Sequence, residues 1–296
     1  MALARPDAGG WRLAAPAPVG PVGTLFARLR EAASGGAVAM GVDFPLGLPR
    51  AYAAGCTEDG FPAFLAGLAA ADDFFRVAVT LREVSRARPF YPARGARGMT
   101  RAAHAAALGL GGPGGLSRAC DRATARRPVG APLFWTLGAN QTGKAAIAAW
   151  RDLLLPALAG HAPPLLWPFA GDFRALLAPG AIALAETYPA EALRQLDLRL
   201  AGSKRRQADR TALAPGLRAA MAGLRARPGR TLARAIADGF GADAAGEDRF
   251  DCVLGLLAVL GVLAGRRPDT APEDAWIRRW EGWVLGQTDP PLTPPA

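Results

Sequence analysis

The chain is poor in the residues that build soft-metal sites and disulfide frameworks. Its three cysteines, Cys56, Cys120 and Cys252, lie far apart without a C-x-x-C spacing, and its two histidines, His104 and His161, stand isolated. This excludes a conventional zinc site and a disulfide-stapled secreted scaffold, and it fits a reducing, cytoplasmic setting. Long hydrophobic runs are also missing. The apolar segment at residues 252–263 (CVLGLLAVLGVL) covers only about half of the roughly 20 residues that a bilayer span requires. With no signal-peptide pattern either, a soluble protein without a membrane partner is expected. Lysine is nearly absent, since 33 of the 35 basic residues are arginine; the net charge is +10 and the pI about 10.8. Arginine suits phosphate recognition, yet an Ala/Gly/Pro/Arg-rich chain acquires the same balance from a genome-wide base bias, so charge alone points only weakly to nucleic acid.

At 296 residues the chain can bury a substantial core, and one domain spanning 1–296 with an insertion is expected. Residues 11–15 (WRLAA) read as a short strand stopped by a Pro-rich stretch. A helix pattern follows from Leu25 to Ala33, then a Gly-Gly turn and a strand ending at Asp43. Prolines 45 and 49 then forbid a continuing central strand. From about 50 to 164, short helical patterns alternate with Gly/Pro-rich loops, and so long a connection between two strands reads as a mainly helical insertion flanking the sheet. Trp276, Trp280 and Trp283 have the spacing of one helix face, a core pattern more than a base-stacking platform.

Two apolar runs end in an acid: AVAMGV leads into Asp43 and AIALA into Glu186. Runs apolar on both faces read as covered sheet strands, and ligands in open α/β sheets gather beyond their carboxyl ends. A third cluster, Glu247, Asp248 and Asp251, opens a long apolar helix pattern. Acids from two strand ends and one helix start can converge on a point. Carboxylates so gathered repel one another unless a cation lies between them, and Mg2+ or Mn2+ prefers oxygen ligands. This arrangement leads to a metal-dependent phosphodiester hydrolase, with Asp43, Glu186 and Asp251 catalytic and Asp248 an additional metal ligand. The plainer reading is that acids in a helix's first turn merely complement the macrodipole.

Lys204, Arg205, Arg206 and Arg210 form a candidate strip for the phosphates of DNA or RNA, a solvated charged helix being the competing reading. Residues 138–144 fit G-x-x-x-x-G-K, but Ala145 stands where a P-loop needs Ser or Thr for Mg2+, which argues against an NTPase.

The segments GVDFPLGLP, FWTLGANQTGK, LWPF, AETYPAE, SKRRQADR and EDRFDCVLGLLA, in this order, resemble the DUF429 family, a group of predicted nucleases with a ribonuclease H-like fold. The resemblance spans most of the chain. It implies an α/β fold with a mixed sheet and flanking helices, and one or two Mg2+ or Mn2+ ions held by Asp43, Glu186 and Asp251, with Asp248 assisting. Such folds open with a strand carrying a first metal-binding aspartate. Here the only acid before Glu31 is Asp7, in a Gly-rich stretch with no apolar run ahead. The expectation is therefore that the first strand is missing and that the chain is poorly active. The rival is a non-catalytic nucleic-acid-binding or scaffold protein with an incomplete metal site.

Overall fold

The computed structural model describes residues 1–95, 98–138 and 141–292. Strand β1 (Ala4–Asp7) turns through Ala8 and Gly9 into β2 (Gly10–Leu13). Helix α1 (Leu25–Ala33) fills the expected span, buries Leu25, Phe26 and Leu29, and stops at Ser34 with φ 49°. Strand β3 (Val38–Val42) delivers Asp43 at its end. Short helices α2 (Arg50–Ala53), α3 (Phe61–Ala66), α4 (Arg101–Ala107), α5 (Thr142–Ala149) and α6 (Leu155–Leu158) make up the insertion, with 3-10 turns among the first four and a π-helical turn (Trp150–Leu154) joining α5 to α6. Strands β4 (Leu165–Leu166) and β5 (Ile182–Glu186) follow, then helices α7 (Pro189–Gln195), α8 (Gln207–Ala212) and α9 (Ala214–Gly223). Strand β6 (Ala226–Pro228), helix α10 (Arg230–Ala237) and the long helix α11 (Ala245–Leu263) complete the order.

The molecule is mixed α/β, and its named strands divide between two three-stranded sheets. In β3-β5-β4 all strands are parallel, and Val42 lies opposite Glu186. The central strand β5 is buried along its whole length, as its unbroken apolar run requires. In β1-β2-β6, β2 is antiparallel to β1 and parallel to β6. Both edges of β2 are thus taken, so it cannot join β3 in the one mixed sheet that was expected. A strand also precedes Trp11: β1 ends on Asp7, in the sheet away from Asp43. Strands β4 and β6 were not foreseen, because two or three residues are too few to show a period.

Core packing joins these layers. One apolar cluster runs from α1 and Val42 through the insertion to Trp150, Leu166 and Leu184, so the insertion shares the core of the parallel sheet. Helix α11 faces both sheets, with Phe250 and Leu254 in the cluster under β2 and β6 and Val259 and Val262 against β5. No helix among the described residues is long and apolar enough to cross a membrane. The tryptophan spacing is misleading. Trp280 packs with the insertion, whereas Trp283 lies beyond the turn at Gly282 and enters a different cluster. All three pack against core clusters, but they do not share one helix face.

The loop after Asp43 is pinned from three directions. Leu46 N–H donates to Glu186 Oε2 at 2.8 Å, Trp150 Nε1–H to Pro45 O at 2.8 Å, and Leu48 N–H to Trp280 O at 2.7 Å. Gly47 has φ 134°, and a Cβ there would lie 2.1 Å from Glu281 O. Alanine at 47 must displace backbone, so Gly47→Ala is expected to cost roughly 1–3 kcal/mol or more in urea unfolding. By contrast, a Cβ built on Gly261 inside α11 meets no atom within 4 Å beyond its chain neighbours and the helix's own nearby backbone. There Gly261→Ala is expected to stabilise by about 0.5–1 kcal/mol. Equal effects at the two positions would refute this assignment of their roles.

Candidate active site at the carboxyl end of the parallel sheet

Helix α11 brings its acids to Asp43 by a simple geometric route. Residues 251, 255 and 259 share a helix face. Val259 is so close to β3 that a Cβ on Gly41 would lie 2.8 Å from Val259 Cγ2 and 2.7 Å from Thr187 Cγ2, and one on Gly255 would lie 3.1 Å from Thr187 Oγ1. Glycine at 41 and 255 thus lets helix and strands approach, and the helix runs antiparallel to β3. One turn further toward its N-terminus, past the strand end, the same face carries Asp251. Asp251 is thereby close enough to Asp43 to act on it electrostatically.

Their electrostatics express the crowding. The Asp43 carboxyl is pushed up from 3.8 to about 7, first by loss of hydration and next by Asp251, with Glu186 and Asp248 adding to it and Lys204 opposing. Asp43 is nevertheless exposed at the end of its strand. Asp251 is pushed up to about 6 by burial and by Glu247 and Asp248, against the attraction of Lys204. Lys204 Nζ donates to Asp251 Oδ2 at 2.5 Å, while buried Asp251 Oδ1 has no hydrogen-bond partner. Asp248 is exposed one turn away.

Glu186 reaches the same end of the sheet but is engaged differently. Arg118, from the insertion, grips it in bidentate fashion, Nη1 to Oε2 at 2.6 Å and Nη2 to Oε1 at 2.7 Å. The same guanidinium also pairs with Asp121, Nε to Oδ2 at 2.9 Å. Burial raises the Glu186 carboxyl, and Arg118 and the Leu46 N–H pull it back. Both oxygens are occupied, so Glu186 acts from a distance on Asp43 as a fixed neighbour. Arg127 repeats the device one layer out, stacking over Tyr188 at 5.5 Å with Nε 3.8 Å from Glu191. Among the described residues, no three His, Cys, Asp or Glu side chains come together as a metal-binding group.

The basic strip separates into unlike parts. Lys204 belongs to the acids, and Arg205 is exposed beside Glu247 at 3.8 Å. Arg206 is exposed and pairs with Asp209 at 2.6 Å. Arg210 is buried, donating to the carbonyls of Gly239 and Gly241 at 2.8 and 2.6 Å and to that of Lys204. It is a corrected residue: a guanidinium spent on backbone carbonyls cannot meet phosphates, and it positions Lys204 instead. The G-x-x-x-x-G-K segment is not a phosphate cradle where it is described. Gly143 N–H already donates to Trp135 O at 3.1 Å, and a Cβ on Gly143 would lie 2.8 Å from that carbonyl. Residues 139 and 140 lie outside the described residues. Sequence reading missed Arg118, Asp121, Arg127 and Tyr188; no local spacing marks them.

Two outcomes follow from these couplings. The folded protein holds protons on Asp43 and Asp251 up to about 7 and 6, whereas an unfolded chain releases them near 3.8. The native state then binds the extra protons, so stability is greatest at the acid end of this window and declines as pH rises through it. Between pH 5 and 8 the melting temperature is expected to fall, and Asp43→Asn to flatten the fall and melt higher at pH 8. An unchanged profile in that variant would take Asp43 out of the cluster. Glu186→Gln, which strips a buried guanidinium of its partner, is expected to cost roughly 3 kcal/mol at neutral pH; a neutral effect would show that the pair is dispensable. Compared with family models, curated proteins and solved structures, the chain matches none.

Proposed function

We propose that this protein is a metal-dependent phosphodiester hydrolase acting on nucleic acid, with Asp43 and Asp251 as the ligands of a Mg2+ or Mn2+ ion and a site arranged as in ribonuclease H-like nucleases. The observation that carries this reading is an Asp251 carboxylate whose buried Oδ1 has no partner, beside an Asp43 carboxyl that Asp251 helps to push up. The donor set fits a hard cation. It offers carboxylate oxygens only, one of them, Asp251 Oδ1, is buried without a partner, and Mg2+ typically rests on one or two carboxylates, waters and substrate phosphates. When bound, such an ion supplies Lewis acidity and a water of lowered pKa.

The chain's own residues do the rest. Asp43 and Asp251 would supply carboxylate oxygens to the ion, and Asp248 adds negative charge nearby. Glu186, immobilised by Arg118, fixes the strand end and the loop that follows Asp43. Lys204 neutralises Asp251 and is placed to receive a phosphate oxygen, with Arg205 and Arg206 outside it for the backbone.

A second reading has its own observation. Lys204 Nζ already lies 2.5 Å from Asp251, so a resident ammonium can take the place of the cation in a non-catalytic nucleic-acid-binding protein. Calorimetry with Mn2+ at pH 7.5 and cleavage assays on single- and double-stranded substrates separate the two. The hydrolase reading expects Mn2+ binding with proton release, and cleavage reduced at least 100-fold in Asp43→Asn and Asp251→Asn with melting curves still cooperative. Mn2+ affinity unchanged in both variants would sink it. Mn2+ binding that appears only in Lys204→Met would establish the second reading.

A further inference from the structure

The sheet β1-β2-β6 carries an arrangement unrelated to the acids. Arg5 lies opposite Arg12, and Arg12 opposite Arg227, so three guanidinium groups stand in register on the solvent face. Strands are about 4.8 Å apart, giving a row about 10 Å long. Like charges directly opposite one another destabilise a sheet, and nothing relieves these: among the described residues none of the three makes an ion pair or side-chain hydrogen bond. Asp7, on the same face, turns Oδ1 onto the N–H of Ala8 at 2.8 Å. A concavity of about 600 Å³ opens beside the row, between the hairpin turn and the end of α9. Trp11 and Met221 form its apolar wall, and Arg218, Arg225 and Arg227 its basic rim. Arg218 and Arg225 are likewise exposed and without a side-chain partner among the described residues.

The walls are preset. Arg225 adopts φ 52°, a left-handed conformation that costs a non-glycine residue energy. Its carbonyl accepts the Trp11 N–H at 2.9 Å, and a Cβ on Gly10 would lie 2.1 Å from it. Hairpin and α9–β6 junction are therefore locked together around the concavity.

We propose that this concavity binds single-stranded nucleic acid, one base entering it against Trp11 and the flanking phosphates lying on its rim of Arg218, Arg225 and Arg227. Arginine suits phosphate, and aromatic faces accept any unpaired base. A duplex keeps its bases stacked within itself and cannot fill the concavity. A lipid surface cannot enter it either, and none of the exposed large hydrophobic residues, Val22, Val79, Val129 and Leu292, belongs to these strands. The site is independent of the hydrolase reading.

The test measures fluorescence anisotropy of labelled 15-nucleotide dT and U strands and of a 15-bp duplex, in EDTA, with wild-type protein, Trp11→Phe and the triple variant Arg218→Gln/Arg225→Gln/Arg227→Gln. Wild type is expected to bind single strands at least 10-fold tighter than duplex. The triple variant is expected to bind at least 10-fold more weakly, and its salt slope to fall by up to about 2, at about 0.7 per lost phosphate contact. Trp11→Phe is expected to lose the tryptophan quenching seen on binding while its melting temperature confirms folding. Unchanged affinity in the folded triple variant, equal affinity for duplex, or cosedimentation with phosphatidylserine vesicles without binding to strands would each overturn the proposal.

Discussion

The carboxyl end of β5 is the constraint on which the architecture depends, because Glu186 is used by its side chain and its backbone at once. Its carboxylate receives Arg118 and the Leu46 N–H, and its backbone lies beside Val42 on one edge and Val284 on the other, with its carbonyl accepting from Leu285 N at 2.8 Å. A buried carboxylate with a bidentate guanidinium and an amide donor has its hydrogen-bonding needs met, which a lone buried charge does not. The insertion, the loop after Asp43 and the C-terminal segment all attach to the sheet there.

Around this fixed point, the neighbouring acids are left in a state of tension. Asp43 is raised first by burial and then by Asp251, Glu186 and Asp248, with Lys204 opposing them. Evolved sites commonly hold such groups at raised pKa, since a group poised near neutrality exchanges protons, cations or phosphates with small changes in energy. Structural ion-pair networks look different: the Arg118–Asp121–Glu186 triad is closed, with every partner present. The Asp43–Asp251 neighbourhood, by contrast, leaves one buried oxygen, Asp251 Oδ1, without a partner.

Much of this was legible in the sequence, and the parts that were not share a cause. Helix α1, strands β3 and β5 and the placement of Asp43 and Glu186 at strand ends follow from local periodicity and chain punctuation. The face of α11 that carries Asp251 follows from helical spacing. The division into two sheets was not legible, since β6 shows no strand period and alone decides that β2 is closed on both edges. Nor was Arg118: in a chain with so many arginines, nothing local marks the one whose partner lies 68 residues away. Arg210 shows the converse failure, for a run of charge in sequence does not reveal which member turns inward to cap carbonyls.

The separations met at Glu186 also bear on how the chain finds its structure. Leu46 lies 140 residues from it and Arg118 lies 68, and the segment around Val284 arrives from near the other end. Contacts of this range close only after the intervening chain has been ordered, and topologies dominated by them fold slowly. The mouth of the parallel sheet is thus assembled from pieces that are synthesised far apart in time. Neither a nascent chain stopped before residue 284 nor a fragment cut within the insertion contains the whole of it.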